Sequence, residues 1–456
     1  MKLPSRHKCL QNVKRFVLSG FLPGLLATLC ASGCGGSGEP ADGKVHLQFS
    51  TWGSAQEMTV TRSLVAEFER THPNIKVEII HIPDNYDQKL HILIAGGIAP
   101  DVMFINSIEF PVYALPGVFL DLNPLIQEHA KDPDAVSASH FYDGSLKAFT
   151  WYNDKGQPSL EALPRDISDL VVFYNKDLFR AAGLDAPTAN WNWDEFVSDA
   201  QKLTIDRDKD GRIDQFGVSF YDNVNPQGHI YWMPFVWSAG GDIFSPDYKE
   251  LTLTEDHALA GIQFYAALRN YYHVAPTKIE SGASKMSDLF LQQKLGMLVS
   301  GRWSVPFLRE KAPFQWDVAP LPVGPGGYSR TGIDASGYAI ASSTRHPEES
   351  YELIAFLESQ PALTTVTQSG LIVPARKDVA ESPVFLDNRL APAHSRVFLD
   401  ALEYGVPTRT SPRWNEISEV LGLALEPVWD GDENVSAQQA LEKVKPEVDR
   451  MLEIAR

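Results

Sequence analysis

Residues 206–214 have the pattern D-x-D-x-D-G-x-x-D, in which carboxylates alternate with other residues around a glycine turn. Calcium takes about six to eight oxygen ligands, and this spacing can wrap a loop around one ion. An EF-hand would continue to a bidentate glutamate at the twelfth position, where Gly217 stands. The pattern predicts a structural calcium site or, alternatively, a solvated turn. Its candidate ligands are Asp206, Asp208, Asp210 and Asp214.

Tryptophans beside turn residues are a second chemical signal. The chain has ten Trp, and several occur in short polar or glycine-containing contexts. The contexts are Trp52-Gly, Trp237-Ser-Ala-Gly-Gly, Gly301-Arg-Trp303 and Arg413-Trp414. An indole face can stack on the apolar face of a sugar ring while neighbouring polar groups bind its hydroxyls. Packing in a core is the alternative for each of these side chains.

Catalytic motifs are nearly absent from the sequence. It contains no H-E-x-x-H, no P-loop, no G-x-S-x-G and no C-x-x-C motif. Its histidines lack the spacing of metal ligands. Among 58 acidic residues some carboxylate pair always resembles a glycosidase site, so the count indicates nothing by itself. The sequence therefore favours a protein that is not an enzyme and that needs no cofactor.

The elements that would position these residues alternate between strand and helix. Val45–Ser50 and Ile75–Ile82 have strand patterns, Glu57–Arg70 and Tyr86–Ala95 helical ones, and Asp101–Ile105 is a further strand. The later predicted elements are Leu170–Tyr174, Lys176–Ala182, Trp193–Leu203, Leu295–Val299 and Pro347–Leu357. Such alternation predicts an α/β fold with mostly parallel sheets and helices on both faces.

The N-terminal sequence has the pattern of an export signal. Five basic residues occur before an apolar run at 16–33, which ends in small residues ahead of Cys34. The segment Ala31-Ser-Gly-Cys34 resembles a bacterial lipobox, in which the cysteine is lipidated after cleavage. We therefore predict a lipoprotein signal peptide at 1–33 and a flexible tether at 34–44. A membrane-spanning helix and an incidental cysteine are the alternatives.

Charge and cysteine content limit the partners. The chain has a formal net charge of −18, and removal of the five basic residues before Cys34 would make it about −23. Such a charge argues against nucleic acid and against adhesion to anionic lipid, so a lipid bilayer would be reached through acyl chains. Cys9 and Cys30 would leave with the signal, so the mature chain would have no disulfide.

Several motifs occur together in a recognisable order. They are Thr71-His-Pro-Asn-Ile-Lys-Val, Tyr86-Asp-Gln-Lys-Leu, Ala95-Gly-Gly-Ile-Ala-Pro-Asp-Val, Asp121-Leu-Asn-Pro-Leu, Leu163-Pro-Arg-Asp-Ile-Ser, Tyr174-Asn-Lys-Asp-Leu-Phe-Arg-Ala-Ala-Gly-Leu, Trp237-Ser-Ala-Gly-Gly-Asp, Gly296-Met, Ser300-Gly-Arg-Trp and His346-Pro-Glu-Glu. In this order the chain resembles the family 1 extracellular solute-binding proteins, the group that includes maltose-binding protein. Each motif is weak alone, and the resemblance covers essentially the whole mature chain.

The resemblance implies a two-lobed periplasmic-binding-protein-like α/β fold, with a ligand cleft between lobes joined by crossover strands. Lobe 1 would comprise 45–167 and 311–357, and lobe 2 would comprise 168–310 and 358–456. The lobes would close on a solute by hinge motion and deliver it to an ABC permease in the cytoplasmic membrane. The receptor would be an exported, lipid-anchored monomer on the extracytoplasmic side.

The resemblance also implies which residues line the cleft, and among them Trp303 matches the family's stacking aromatic. The predicted set is Trp52, Asn106, Glu109, Asp166, Ser168, His229, Trp237, Gly241, Asp242, Trp303, Tyr338, Arg413 and Trp414. Arginines and lysines do not cluster near these positions, which disfavours a phosphorylated ligand and favours a neutral sugar or oligosaccharide.

Three other functions are compatible with the sequence. A secreted carbohydrate-active enzyme would share the aromatic cleft but would turn its sugar over. A sensory receptor would share the fold and the site but would pass its solute to a kinase or a chemoreceptor. A polyamine or peptide binder could use the same fold with different ligand chemistry.

Overall fold

A computed structural model describes residues 42–132, 135–152, 155–220, 228–282, 284–432 and 434–454. The predicted signal peptide, Cys34 and most of the tether lie outside the described residues. Within these ranges no helix is both long and apolar enough to cross a membrane.

The strands of the described residues form two larger sheets and one short antiparallel pair. The strands are β1 (Val45–Thr51), β2 (Ile75–His81), β3 (Val102–Asn106), β4 (Thr150–Tyr152), β5 (Pro158–Leu160), β6 (Ala162–Ser168), β7 (Val171–Asn175), β8 (Phe216–Phe220), β9 (Leu295–Ser300), β10 (Trp316–Ala319), β11 (Gly332–Ile340), β12 (Val373–Pro374) and β13 (Val406–Pro407). The first sheet has the order β12-β6-β11-β3-β1-β2, with β13 beside β11, and the second has the order β10-β7-β9-β8.

Both larger sheets are mixed, which differs from the mostly parallel sheets predicted from the alternation. Strand β1 is parallel to β2 and β3, and β8 is parallel to β9. The strands that connect the sheets run against their neighbours: β11 is antiparallel to β3 and β6, and β7 is antiparallel to β9 and β10. A strand that enters from the other sheet has no crossover helix to impose parallel pairing.

The helices cover the sheet faces. They are α1 (Ala55–Thr71), α2 (Tyr86–Ala95), α3 (Phe110–Ala114), α4 (Asn123–Glu128), α5 (Asp143–Ala148), α6 (Lys176–Ala181), α7 (Trp193–Leu203), α8 (His229–Ser238), α9 (Asp256–Asn270), α10 (Lys278–Ser281), α11 (Met286–Leu291), α12 (Val305–Lys311), α13 (Pro347–Leu357), α14 (Gln360–Gln368), α15 (Lys377–Ala380), α16 (Arg396–Tyr404), α17 (Trp414–Trp429) and α18 (Ala437–Ile454). The predicted elements are confirmed to within a few residues at each end.

Local capping explains where the better-defined helices begin. The Ser54 side chain accepts from the backbone N–H of Glu57 at the start of α1. Asn192 and Glu195 form a reciprocal capping box at the start of α7. Such caps satisfy backbone donors that the first helical turn leaves unpaired.

Separate cores lie against the two sheets, as expected for a two-lobed fold. One core surrounds the first sheet and contains Phe49, Phe104 and Tyr338. The second sheet carries two cores, one with Trp237 and Trp414 and one with Phe173 and Trp316. The predicted fold class is confirmed by this arrangement.

Two strands depart from the predicted lobe boundaries. Strand β10 lies in the second sheet, so the chain returns to the first sheet between Ala319 and Gly332 and not near residue 311. Strand β12 pairs with β6 in the first sheet, so that lobe extends beyond residue 357. The crossing between β6 and β7 falls at 168–171, next to the predicted boundary at 167.

Candidate functional site

A cleft of about 1950 Å³ lies between elements of the two sheets. On the side of the first sheet it is lined where β1, β3 and β6 end and by the first turns of α1 and α2. On the side of the second sheet it is lined by residues 285, 287, 302–304 and 307 and by the start of α17. Ligands of open α/β sheets bind at such carboxyl-terminal strand ends, because the loops there are free to diverge.

Trp52 forms the aromatic wall on the side of the first sheet. Its ring is tilted against Phe104 at a centroid distance of 4.2 Å and meets the edge of Tyr86 at 5.0 Å. The hydroxyl of Tyr86 lies 2.8 Å from the hydroxyl of Ser50 and so fixes the ring behind Trp52. The indole is therefore held in place while part of it stays open to the cleft.

A buried guanidinium lies at the base of the cleft. Arg165 donates from Nε to Asp166 Oδ2 at 2.6 Å and from Nη1 to Glu57 Oε1 at 3.0 Å. Its guanidinium also lies 4.1 Å from the centroid of the Phe104 ring. Burial raises the pKa of Asp166, although the adjacent Arg165 opposes that rise. The positive charge of Arg165 is thus compensated by carboxylates of the protein itself.

Trp303 forms the aromatic wall on the side of the second sheet. Its ring lies directly over Gly301, where a Cβ atom would be only 2.0 Å from ring atom Cζ3. A side chain at position 301 would displace the indole, so the Gly-Arg-Trp motif places this ring through a missing Cβ. Trp303 is half-buried and packs against the large core of the second sheet.

Arg302 is the second arginine of the cleft, and it too is used within the protein. Its Nη1 donates to Ser395 Oγ at 3.1 Å, and its guanidinium lies 4.1 Å from the Phe385 ring centroid. Burial lowers its pKa, whereas the carboxylate of Asp169 opposes that change. Burial also raises the pKa of Asp169 well above its ordinary value.

Two carboxylates on the rim of the cleft, those of Glu109 and Asp87, form no ion pair with any residue that the structure describes. Burial and the nearby Asp87 raise the pKa of Glu109 to about 8, and the side-chain amide of Asn415 from α17 opposes this rise. Burial raises the pKa of Asp87 itself to about 6. Within the described residues Glu109 Oε2 has no hydrogen-bond partner. Asn415 belongs to the opposite wall, so this contact spans the cleft.

The structure places six of the predicted ligand-binding residues on the cleft surface. They are Trp52, Asn106, Glu109, Asp166, Ser168 and Trp303. It places the other seven elsewhere, and these are His229, Trp237, Gly241, Asp242, Tyr338, Arg413 and Trp414.

Trp237, Asp242 and Gly241 belong to a structural network. Trp237 Nε1 donates to Asp242 Oδ1 at 3.1 Å, and Arg409 Nη1 donates to Asp242 Oδ2 at 2.9 Å. A Cβ on Gly241 would come within 2.6 Å of the backbone of Ala258. The Trp-Ser-Ala-Gly-Gly-Asp motif therefore closes a turn against α9 and does not line the cleft.

Helix and strand geometry keeps the remaining four residues off the cleft surface. They are His229, Tyr338, Arg413 and Trp414. Pro412, Asn415, Glu416 and Glu419 line the cleft at helical spacing. That face of α17 turns Trp414 inward, where it meets the edge of the buried His229 ring at 4.8 Å. Arg413 pairs with Glu416 on the surface. Tyr338 packs between Phe49 and Phe104 within the first sheet.

Sequence reasoning missed several lining residues. They are Tyr86, Asp87, Arg165, Asp169, Arg302, Asp334 and Asn415. Arg165 and Arg302 are direct neighbours of the predicted Asp166 and Trp303, so the motifs themselves offered a signal. Asp334 is buried, which raises its pKa to about 6, and it reaches the cleft from β11 across a distance that no local pattern reveals.

The predicted calcium loop brings three of its four acids together. Carboxylate oxygens of Asp206, Asp208 and Asp210 lie within 4.8 Å of one another, which fits shared ligation of a hard cation. Asp206 also accepts the backbone N–H groups of Lys209 and Gly211. Asp214 lies outside this group and accepts the backbone N–H of Arg207 at 2.8 Å.

The sequence was compared with a family model and with the sequences of known proteins. The family model of the bacterial extracellular solute-binding proteins matches residues 52–363. The chain is 24% identical over 413 residues to the galactooligosaccharide-binding protein of Bacillus subtilis, covering 87% of this chain and 88% of that one. An uncharacterized lipoprotein of Streptomyces antibioticus is 28% identical over 368 residues, with 78% and 76% covered.

Among solved structures, an ABC substrate-binding protein of Listeria monocytogenes in complex with cycloalternan superposes with a TM-score of 0.79. It is 25% identical and covers 90% of this chain and 99% of its own. A maltose-bound protein of T. maritima superposes with a TM-score of 0.75 at 21% identity, with 90% and 99% covered.

Proposed function

The chain belongs to the bacterial extracellular solute-binding proteins, and we propose that it is the carbohydrate-binding receptor of an ABC importer. The observation that supports this most directly is the cleft itself. Trp52 and Trp303 present indole rings from opposite walls, and polar side chains surround them. Two apolar faces set among hydrogen-bonding groups are what a sugar ring requires, since its faces are apolar and its rim carries hydroxyls.

The charges of the cleft argue against an anionic solute. Both of its arginines already serve buried partners, Arg165 through Glu57 and Asp166 and Arg302 through Ser395. Lys285 is the third cation of the described lining, so a phosphate or a uronate would meet several carboxylates and no free guanidinium group. The proposed ligand is therefore a carbohydrate without acidic groups, in agreement with the sequence-based preference for a neutral sugar.

Closure of the two lobes over the ligand would transmit occupancy to the permease. Ligand that touches both walls stabilises the closed arrangement by its differential affinity for that state. No bond is broken in this cycle, so we propose that the protein does not catalyse a reaction on its solute. Recovery of the bound sugar unchanged after long incubation, checked by mass spectrometry, is the expected result.

A thermal-shift screen of residues 35–456 against mono-, di- and oligosaccharides tests the proposed function. Ligand that binds the folded state alone adds about 2.7 kcal/mol at a hundredfold excess over its dissociation constant, so the midpoint must rise. The shift should vanish in Trp303→Ala. Trp193→Ala is the matched control, because Trp193 stacks on Phe264 at 3.8 Å in the core of the second sheet. No shift with any sugar would refute carbohydrate binding.

We further propose that residues 1–33 are removed on export and that Cys34 carries the lipid that tethers a monomer to the extracytoplasmic face. The support lies in the sequence around Cys34. Incorporation of labelled fatty acid into the wild type but not into Cys34→Ser is expected. Equal labelling of both proteins would contradict the anchor without affecting the assignment of the cleft.

A further inference from the structure

The cleft carries a marked excess of negative charge. Among its described lining residues nine are Asp or Glu and three are Arg or Lys. Of those three, Arg165 and Arg302 are engaged within the protein, the first by two carboxylates and the second by Ser395 and an aromatic ring. Most of these acidic groups therefore face the cleft without an ion pair to any residue in the described part of the chain.

The excess of acidic over basic groups is most pronounced at Glu109 and Asp87. Glu109 is only 6% exposed, lines the cleft, and has one carboxylate oxygen without a partner among the described residues. Asp87 lies near enough for its charge to raise the pKa of Glu109 further. A buried carboxylate that lacks a partner is costly, and two carboxylates that repel each other cost more. Both groups therefore fit a ligand that supplies positive charge.

The pair adjoins the aromatic wall. Asp87 follows Tyr86 in the first turn of α2, and the Tyr86 ring contacts Trp52 at 5.0 Å. Asn415 faces Glu109 from the other lobe. Since Trp52, Asp87 and Glu109 all line the same cleft, a sugar ring stacked on Trp52 would direct substituents into the space that the two carboxylates also line. A hydroxyl there would donate a hydrogen bond without adding charge, whereas an ammonium group would donate, would favour the ionised form of Glu109 and would compensate its charge.

We propose that the cleft selects carbohydrates that carry a protonated amine, and that Glu109 and Asp87 together bind this ammonium group. This inference rests on the proposed carbohydrate-binding function and narrows its substrate class. Charge-assisted hydrogen bonds are shorter and stronger than neutral ones, so replacement of one ring hydroxyl by an ammonium should raise affinity.

Matched pairs of sugars test the inference by isothermal titration calorimetry near neutral pH. The pairs are glucose and glucosamine, galactose and galactosamine, mannose and mannosamine, and cellotriose and the β-1,4-linked glucosamine trimer. Each pair differs in hydroxyl against ammonium at the same carbon. In at least one pair the amine should bind about tenfold more tightly or better, and Glu109→Gln should bring that ratio close to one. Galacturonic acid should not bind.

Controls separate this inference from the function on which it rests. Glu447→Gln removes an exposed carboxylate of α18 outside the cleft and should keep the wild-type ratio. Asp87→Asn gives an independent test should Glu109→Gln fold poorly. Neutral sugars that bind as tightly as their amines, with ratios unmoved by either cleft variant, would overturn the amine preference and leave carbohydrate binding intact. Absence of binding by every sugar would refute both.

Discussion

Two acidic regions of one cleft differ in how their charge is compensated. At the base, Glu57 and Asp166 each hold a direct ion pair with Arg165. On the rim, Glu109 and Asp87 have each other for neighbours and an uncharged amide, Asn415, across the gap. The residue types are the same, yet the first cluster is closed within the protein and the second is open to an external cation.

The difference shows which acids support the fold and which are available to a ligand. A buried ion pair contributes little net stability, because desolvation offsets the attraction, but removal of one partner leaves an uncompensated charge. The base of the cleft is therefore sensitive to loss of its cation. The rim already bears that cost, so loss of a carboxylate there should relieve it.

The largest effect is expected from Arg165→Met. This change leaves Asp166 and Glu57 buried without a cation, and we expect a loss of roughly 3 to 5 kcal/mol in the free energy of unfolding at neutral pH. Urea denaturation of residues 35–456 measures it. Protonation should reduce the defect, so the gap to the wild type should narrow as the pH falls toward 4.

A double variant completes this experiment. Arg165→Met with Asp166→Asn removes one of the stranded charges and should regain part of the lost stability. An Arg165→Met protein as stable as the wild type, or a defect that does not depend on pH, would show that the cluster is held by packing against Phe104 and not by charge.

The fold and the cleft show which features of the structure can be predicted from the sequence. The strands and helices were predicted because apolar periodicity is a local property of the sequence. The caps at Ser54 and Asn192, which fix where two of the helices begin, are local as well. The resemblance implied that Trp52 and Asn106 line the cleft. They do so in the structure because the parallel strands that lead to them end at one edge of the sheet. The resemblance implied strands that cross between the lobes, but their antiparallel pairing was not predicted, because it is set by partners distant in the sequence.

The tryptophans mark the limit most clearly. Trp237 and Trp303 both lie near glycines, yet Trp237 donates to Asp242 inside a turn and Trp303 covers Gly301 on the cleft surface. Trp414 was misplaced because the ligand-facing side of α17 depends on how the helix packs, which its spacing alone leaves undecided. Local context identifies a ring that could bind, and tertiary packing decides whether it does.

Glu109→Gln should raise the free energy of unfolding, whereas Arg165→Met should lower it. The folded-state pKa of Glu109 is about 8, above the ordinary value of 4.5. The folded protein retains this proton at pH values where the unfolded chain has lost it. The contribution of Glu109 to the free energy of unfolding is therefore most favourable below pH 4.5 and is lost as the pH rises toward 8. Each pKa unit corresponds to about 1.4 kcal/mol. Glu109→Gln should therefore be more stable than the wild type at pH 8, by up to about 4 kcal/mol, and similar at pH 4.5.

Denaturation midpoints at pH 4.5, 6 and 8 provide the measurement, with Glu447→Gln as the control that should follow the wild type at each pH. A Glu109→Gln protein that is less stable than the wild type at pH 8 would mean that the carboxylate is compensated in the folded state. The rim would then resemble the base of the cleft, and the contrast between the two regions would disappear.

The smallest effect is expected from a third acidic region, the loop of Asp206, Asp208 and Asp210, whose charge is exposed and partly balanced by backbone N–H groups. We expect calcium to bind there. Weak sites in extracellular modules have dissociation constants of about 10⁻⁴ to 10⁻³ M, so 1 mM calcium should add about 0.4 to 1.4 kcal/mol of stability. A higher thermal midpoint in calcium than in EDTA, lost in Asp208→Asn, would confirm the site. Since the loop joins α7 to β8 outside the cleft, sugar affinity should stay unchanged. Equal midpoints in calcium and EDTA would identify the loop as a solvated turn, whose carboxylates are satisfied by water and by their own backbone.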